Sequence, residues 1–215
     1  MTTIVGITDR AGWDARTDVL VLVDPAKERL LWLPRDLWCA GSNTRINAAY
    51  RAGGHRLLVG AAAELGLAVD HTVVVARPAS EAALANVAVL VPVAERLVFR
   101  YPLTPTTPIE DGWKVVTFEP PAEVLRGERI HQWIGARTGG DLHRIERQKI
   151  FFRRLLEQRF DFAGVLANPD LVRVSAPAAI DDLRQVTSSW QFETLGPLTS
   201  RSINGKSVLL YGADA

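Results

Sequence analysis

Residues 16–36 read RTDVLVLVDPAKERLLWLPRD, and this stretch sets the fold. Val19 to Val23 is an unbroken apolar run rich in β-branched residues, the pattern of a strand buried on both faces. Asp24-Pro25-Ala26-Lys27 is a turn signal. Arg29 to Leu33 is apolar again and stops at Pro34, so it reads as an antiparallel partner. The turn of such a hairpin lies at one end. The residues before Val19 and after Leu33 then meet at the other end, which gathers Arg16, Asp18, Arg35 and Asp36 at one edge. Strand ends carrying loops are where ligand sites concentrate.

Working outward, Ile4 to Ile7 reads as a strand and the polar, Gly-containing segment up to Arg16 as a loop. Residues 37–53 look irregular. Leu57, Leu58, Ala61, Ala62 and Leu65 lie at helical spacing, with Gly66 placed to end the helix. Gly53-Gly54 lacks the rest of a phosphate loop and reads as a turn before that helix. Thr72–Val75, Val87–Val91, Leu97–Tyr101 and Val115–Phe118 read as strands, with a short helix after Pro78. Thr104 to Pro108, with its two prolines, reads as an exposed loop. The spacing predicts a long helix from Leu142 to Phe160, capped by Asp141, with Leu142, Ile145, Phe152, Leu155 and Leu156 as its apolar stripe. A helix over Ala178–Val186 and a closing strand over Ser207–Tyr211 complete residues 161–215. Strands and helices alternate with no repeat and no compositional break, so the expectation is one mixed α/β domain over residues 1–215.

The chain is 47% hydrophobic and 23% charged, with a formal net charge of +1. That balance, with no interleaving of aromatic and basic residues, argues against a nucleic-acid partner. The one cysteine, Cys39, can form no internal disulfide and reads as a packed small apolar residue. No run approaches the ~18–20 apolar residues of a membrane span. Met1 to Val5 shows no basic segment leading into an apolar core. The chain as written is therefore expected to be soluble and cytoplasmic; an upstream anchor, if trimmed away, would place it on the outer face of the plasma membrane.

From Arg126 to Arg159 nine Lys or Arg stand against four acids. Arg144, Arg147 and Gln148 share a helix face, with Leu142, Ile145 and Phe152 turned toward the core. Guanidiniums beside an amide suit a phosphate or pyrophosphate, because arginine offers planar paired donors that stay charged. The bland alternative is a solvated basic face. His71, His131 and His143 lack metal-like spacing and read as structural. No Gly-x-Ser-x-Gly is present, and Cys39 has no base in view. An arginine anion site with one or two carboxylates and no nucleophile fits phosphoryl transfer, where positioning and charge neutralisation carry the catalysis.

The order of these pieces resembles the LytR–CpsA–Psr family. Gly6 to Arg10 is similar to the family's Gly-x-Asp-x-Arg loop, and Arg16-Thr17-Asp18 matches its Arg-Ser/Thr-Asp. Pro34-Arg35-Asp36 matches its Pro-Arg-Asp. Arg45-Ile46-Asn47-Ala48-Ala49-Tyr50 followed by Gly53-Gly54 looks like Lys-Ile-Asn-x-Ala and Gly-Gly. Asp141-x-x-Arg144-x-x-Arg147-Gln148 matches a helical signature. The motifs span residues 4–160. The resemblance implies a mixed central β-sheet sandwiched between α-helices, with an apolar tunnel for a polyprenyl chain. It implies a phosphotransferase that moves a phosphoglycan from a polyprenyl-pyrophosphate carrier to a cell-wall acceptor, with Mg²⁺. By the same resemblance Asp18, Arg35 and Arg144 are catalytic, and Arg16, Arg35, Arg45, Arg137, Arg144 and Gln148 bind the pyrophosphate. Asp141 and Arg147 support them, and Asp18 with Asp9 would hold the metal. The acceptor hydroxyl would be the nucleophile. The chain departs from the pattern in three motifs: Thr8 stands at the Gly-x-Asp carboxylate, Gly135 at the first arginine of an Arg-x-Arg ending in Arg137, and Ala85-Asn86-Val87 replaces Gly-Gly-Val. The alternatives are a soluble homologue that binds or cleaves another pyrophosphate, or a non-catalytic pyrophosphate or lipid binder.

Overall fold

The computed structural model describes residues 1–103, 111–136, 140–160, 162–166 and 168–212. The first elements are β1 (Thr3–Thr8), β2 (Thr17–Asp24), β3 (Arg29–Trp32), β4 (Trp38–Cys39), β5 (Thr44–Arg45), α1 (Ile46–Glu64), β6 (His71–Val75) and α2 (Arg77–Leu84). Then come β7 (Ala88–Pro92), β8 (Leu97–Pro102), β9 (Trp113–Phe118), β10 (Ala122–Arg126), α3 (Glu128–Gly135) and α4 (Asp141–Glu157). The last are α5 (Phe162–Leu166), β11 (Val172–Val174), α6 (Ala178–Arg184), β12 (Gln191–Thr194), β13 (Leu198–Ile203) and β14 (Lys206–Tyr211). By contacts the chain divides into two compact units, Met1–Ser80 with Asp161–Ala215, and Glu81–Phe160.

The first unit is built on a six-stranded sheet of order β11-β6-β1-β2-β3-β12. β1 pairs parallel with β6, and β3 with β12; the other neighbours are antiparallel. β2 and β3 form the expected hairpin. From Val19 to Asp24 every residue of β2 is buried, as the unbroken apolar run requires of a central strand. One sheet face carries Ile4, Leu20, Leu22, Leu31, Leu33 and Val74, packed with Ile46, Leu58, Ala61 and Ala62 of α1. The opposite face carries Val73, Val75 and Val172 with Ala79 and Ala179. Each Leu, Ile or Val sealed this way contributes about 1.5–3 kcal/mol relative to exposure. The buried α6 carboxylate Asp182 accepts a 2.7 Å hydrogen bond from Thr3 Oγ1, which satisfies it against the sheet. This is a mixed sheet between helices, the expected fold class.

Residues 37–53 are more ordered than the irregular reading allows. β4 and β5 pair, and α1 begins at Ile46, burying Ile46, Asn47, Ala49 and Tyr50 before Gly53. Gly54 has φ +60° and ψ −152°, so α1 is two helical pieces with a break between them. Periodicity counted from Leu57 cannot register with the first piece across such a break. Cys39 is fully buried with Sγ 3.6 Å from the Ala61 carbonyl, the packed position expected of it, and burial pushes its thiol up to about 12.

In the second unit β7 pairs with β10 and β8 with β9, both antiparallel. Phe118 lies between Phe99 and Trp133, with ring centroids 5.7 and 5.0 Å away. α4 starts one residue earlier than expected, and its N-cap is Gly140 at φ +93°, not Asp141. The buried side of α4 is Arg144, Ile145, Arg147, Gln148, Phe151 and Leu155, whereas Leu142 is 45% exposed. Arg144 and Arg147 therefore do not lie on a solvated face, whereas Arg153 and Arg154 are exposed, as is Leu142 of the anticipated apolar stripe. Among the described residues no helix is long and apolar enough to cross a membrane. The loop expected at Thr104–Pro108 lies outside the described residues.

His55 follows the Gly53-Gly54 break. Its Nδ1 shares a hydrogen bond with Thr72 Oγ1 on β6, and its ring stands edge-on to Tyr50 at 5.3 Å. Burial, then the charge of Arg173, holds its pKa below the ordinary histidine value. The unfolded chain therefore takes up a proton at higher pH than the folded one. The contribution to stability is complete above about pH 6.5 and is lost as pH falls from there through the depressed folded value. Denaturant midpoints should drop between pH 7.5 and 5.5 in the wild type, and His55→Gln should flatten that slope; an unchanged slope would contradict the assignment.

Candidate functional site

The register of β1 with β2 slips at one point. Ile7 lies opposite Val19 and Thr8 opposite Thr17, so Asp18 is the extra residue of a β-bulge. A bulge re-aims the side chain it frees. Asp18 forms an ion pair with Arg35, which follows the end of β3 and whose side chain is 8% exposed. Two further pairs extend the line. Arg35 Nε is 4.0 Å from Asp36 Oδ1, and Arg45 Nη1 is 3.1 Å from the same oxygen. Arg45 Nη2 also donates to the Ser207 carbonyl at 2.6 Å. Charges thus alternate from Asp18 through Arg35 and Asp36 to Arg45. Neighbouring backbone bonds hold the line in place: Asn47 N–H donates to the Arg35 carbonyl at 3.3 Å, and Thr17 Oγ1 to the Asn47 carbonyl at 3.2 Å. The β2–β3 hairpin brings Asp18, Arg35 and Asp36 to one edge, as the sequence implies, and Arg16 is exposed beside them.

The loop between β1 and β2 is closed on itself. Asp9 N–H donates to the Arg16 carbonyl at 2.8 Å, and Arg16 N–H donates to Asp9 Oδ1 at 3.2 Å. Thr8 is 2% exposed; its hydroxyl donates to the Arg10 carbonyl at 2.7 Å and accepts from Arg77 N–H at 2.9 Å. Arg77 Nη1 donates to the Asp9 carbonyl at 3.0 Å. Trp13, midway in the loop, meets Tyr50 edge-on at 6.4 Å and lies under the Arg173 guanidinium at 4.3 Å. Sequence reasoning passed over Arg77. The signal was present: it follows β6, and β6 runs parallel to β1, so both strands deliver their carboxyl ends to this edge.

These donors can be set against the needs of Mg²⁺, which takes six oxygens at near-octahedral positions. Thr8 uses its one hydroxyl proton and accepts a backbone N–H. Asp9, expected as the second ligand, turns one carboxylate oxygen onto the loop's own backbone at Arg16. Asp18 is the carboxylate aimed by the bulge. Among the described residues no group of three or more His, Cys, Asp or Glu comes together. The residues fit a cation that takes one carboxylate from the protein and most of its oxygens from a phosphate ligand and water.

In the second unit Arg144 is 1% exposed and pairs with Asp141, one turn earlier on α4. Arg147 and Gln148 face the C-terminal end of α3. Arg147 donates to the carbonyls of Trp133 (3.0 Å, from Nε) and Ala136, and Gln148 Nε2 donates to that of Ile134 at 2.9 Å. Trp133 Nε1 returns a 3.0 Å bond to the Arg147 carbonyl. These bonds satisfy carbonyls that a helix end leaves without partners. Burial, then repulsion from Arg144, lowers Arg147 to about 10. Gln148, expected on the substrate, thus has an amide hydrogen committed to the backbone. Arg137 lies outside the described residues.

The LytR_cpsA_psr family model matches residues 2–192. No curated protein matches the sequence significantly. Several solved structures share the fold. Protein gbs0355 from Streptococcus agalactiae is 17% identical, with a TM-score of 0.71 over 100% of this chain and 83% of its own. TagV from B. subtilis is 20% identical, TM-score 0.67, over 100% and 91%. TagT from B. subtilis is 18% identical, TM-score 0.67, over 100% and 85%, and TagT has also been solved bound to LIIa-WTA.

Removing the Arg147 guanidinium takes a donor from each of two carbonyls at the end of α3. Arg147→Ala should destabilise the protein by about 2–4 kcal/mol, the range for buried groups left unsatisfied. Arg147→Lys should recover only part, since one ammonium cannot span both acceptors in the arginine geometry. Urea melts of the three proteins read this; a loss under about 1 kcal/mol in Arg147→Ala would show that Arg147 does not hold α3 to α4.

Proposed function

The chain belongs to the LytR–CpsA–Psr family, and on that premise we propose that it is a phosphotransferase acting on a polyprenyl-pyrophosphate-linked glycan, with a cell-wall polymer as acceptor. Arg16, Arg35, Arg45, Arg137 and Arg144 bind the pyrophosphate; Gln148 and Arg147 orient α4, and Asp141 orients Arg144. The observation that carries the reading is the bulge that aims Asp18 at Arg35 on the strand-end edge, a carboxylate and a guanidinium set together. Asp18 would hold Mg²⁺ together with the substrate's own oxygens, and the ion would supply charge neutralisation there. In the reaction the acceptor hydroxyl oxygen forms a bond to the glycan-bearing phosphorus. The bridging P–O bond breaks, polyprenyl monophosphate leaves, and the hydroxyl proton passes to the departing phosphate. The arginines stabilise the charge that accumulates on the phosphoryl oxygens.

A second reading is favoured by Thr8, whose hydroxyl is already committed where the family pattern has a carboxylate. In it the chain binds the same pyrophosphate and transfers nothing.

Calorimetry with farnesyl pyrophosphate, with and without Mg²⁺, and mass spectrometry of products from a polyprenyl-pyrophosphate glycan separate these readings. Mg²⁺ should bind weakly to the free protein and clearly once pyrophosphate is present. Asp18→Ala should abolish turnover and keep anion binding. Arg144→Ala should weaken anion binding by roughly 1.5–3 kcal/mol, the range for a hydrogen bond to a charged group. Binding without turnover in the wild type would select the second reading. Tight stoichiometric Mg²⁺ binding to the free protein would contradict the single-carboxylate site.

A further inference from the structure

We infer that Arg77 is a positioning residue for the anion site, through its hold on the loop of residues 9–16; for its effect on ligand this rests on the pyrophosphate reading above. The loop leaves β1 at Thr8 and returns at Arg16, beside the bulged Asp18. Its root is tied at two atoms of one residue. The Arg77 backbone N–H donates to Thr8 Oγ1 at 2.9 Å, and the Arg77 guanidinium donates to the Asp9 carbonyl at 3.0 Å. Thr8 in turn donates to the Arg10 carbonyl at 2.7 Å, so the three residues that leave the strand are all fixed. The Asp9–Arg16 pair then closes the loop with bonds of 2.8 and 3.2 Å.

The consequence for the site lies in what the loop presents. Arg16 is exposed at its end, and its backbone N–H and carbonyl both bond to Asp9, whose own carbonyl is the acceptor for Arg77. A long exposed arginine loses rotamer and backbone freedom when it binds an anion, and a preset backbone removes part of that cost before the ligand arrives. Thr8 fits the same account. A carboxylate at that position could not donate to the Arg10 carbonyl, so the threonine hydroxyl is what ties the loop to the strand and to Arg77 at once. The position that would otherwise carry a metal-binding charge is given to fixing the loop, and Arg77 is its counterpart on the other side.

The test uses the full chain with inorganic pyrophosphate as probe, and amide hydrogen exchange as a readout that needs no ligand. Arg77→Ala should speed exchange in the 9–16 segment while the β2 amides of residues 19–23 keep wild-type protection. It should also weaken pyrophosphate binding by roughly tenfold, the ratio for losing one hydrogen bond from a charged donor. Thr8→Val should act in the same direction, and the double variant should lose less than the product of the two, because both act on one loop. Arg77→Lys keeps a donor for the Asp9 carbonyl and should retain most of the protection and affinity. Unchanged exchange at 9–16 in Arg77→Ala would overturn the inference. So would an Arg77→Lys variant with wild-type exchange but the affinity loss of the alanine variant, which would put the guanidinium on the anion itself. If the wild type binds no pyrophosphate, the functional reading fails, and the exchange result still decides the role of Arg77.

Discussion

One bulged residue organises the edge of the first unit. Because Asp18 is inserted between Thr17 and Val19 with no partner on β1, its carboxylate is free of the alternation that governs the rest of the strand. It meets Arg35, and from that pair the alternating line of Asp36 and Arg45 runs on to the Ser207 carbonyl on β14. The tight fit around the bulge extends to β1: a Cβ on Gly6 would come within 2.9 Å of Thr17 Cγ2. Hydrophobic burial of β2 supplies the stability that lets this charged line stand at the strand ends. A one-residue slip of the strand would carry Leu20 and Leu22 away from the face they share with Leu31, Leu33 and α1, so the bulge is held where it is.

The second unit solves a different problem. It buries two arginines and an amide on one helix, which costs desolvation, and it offsets that cost by giving Arg147 and Gln148 backbone carbonyls at the end of α3. Arg144 instead has Asp141 beside it. Burial, then repulsion from Arg144, lowers Arg147, and its bonds to the end of α3 make it a brace between the two helices.

The hairpin, the strand-end cluster and the fold class were legible because long apolar runs and a Pro-containing turn leave few alternatives for Val19–Leu33. The family motifs marked Asp18, Arg35 and Arg144. What was hidden depends on single-residue slips and on backbone acceptors. The bulge has no signature in residues 16–19. The two-piece α1 was hidden by Gly53-Gly54, and β11, of three residues, pairs only through tertiary context. The α4 face was misjudged because helical spacing places Arg144, Arg147 and Gln148 together but does not say whether that side is wet. Carbonyls freed at the end of α3, itself not anticipated, draw Arg147 and Gln148 inward, and Leu142 is left exposed. Arg77 escaped notice because its partners are a hydroxyl and a carbonyl contributed by a loop nearly seventy residues earlier.

The central claim is that this chain handles an isoprenoid pyrophosphate. Native mass spectrometry of the purified protein, before and after addition of farnesyl pyrophosphate, tests it most directly. The account predicts either a co-purified isoprenoid phosphate or a one-to-one adduct on addition, retained in Asp18→Ala and reduced in Arg144→Ala. A protein that carries no such ligand and forms no adduct, or that co-purifies with a nucleotide in its place, would contradict it.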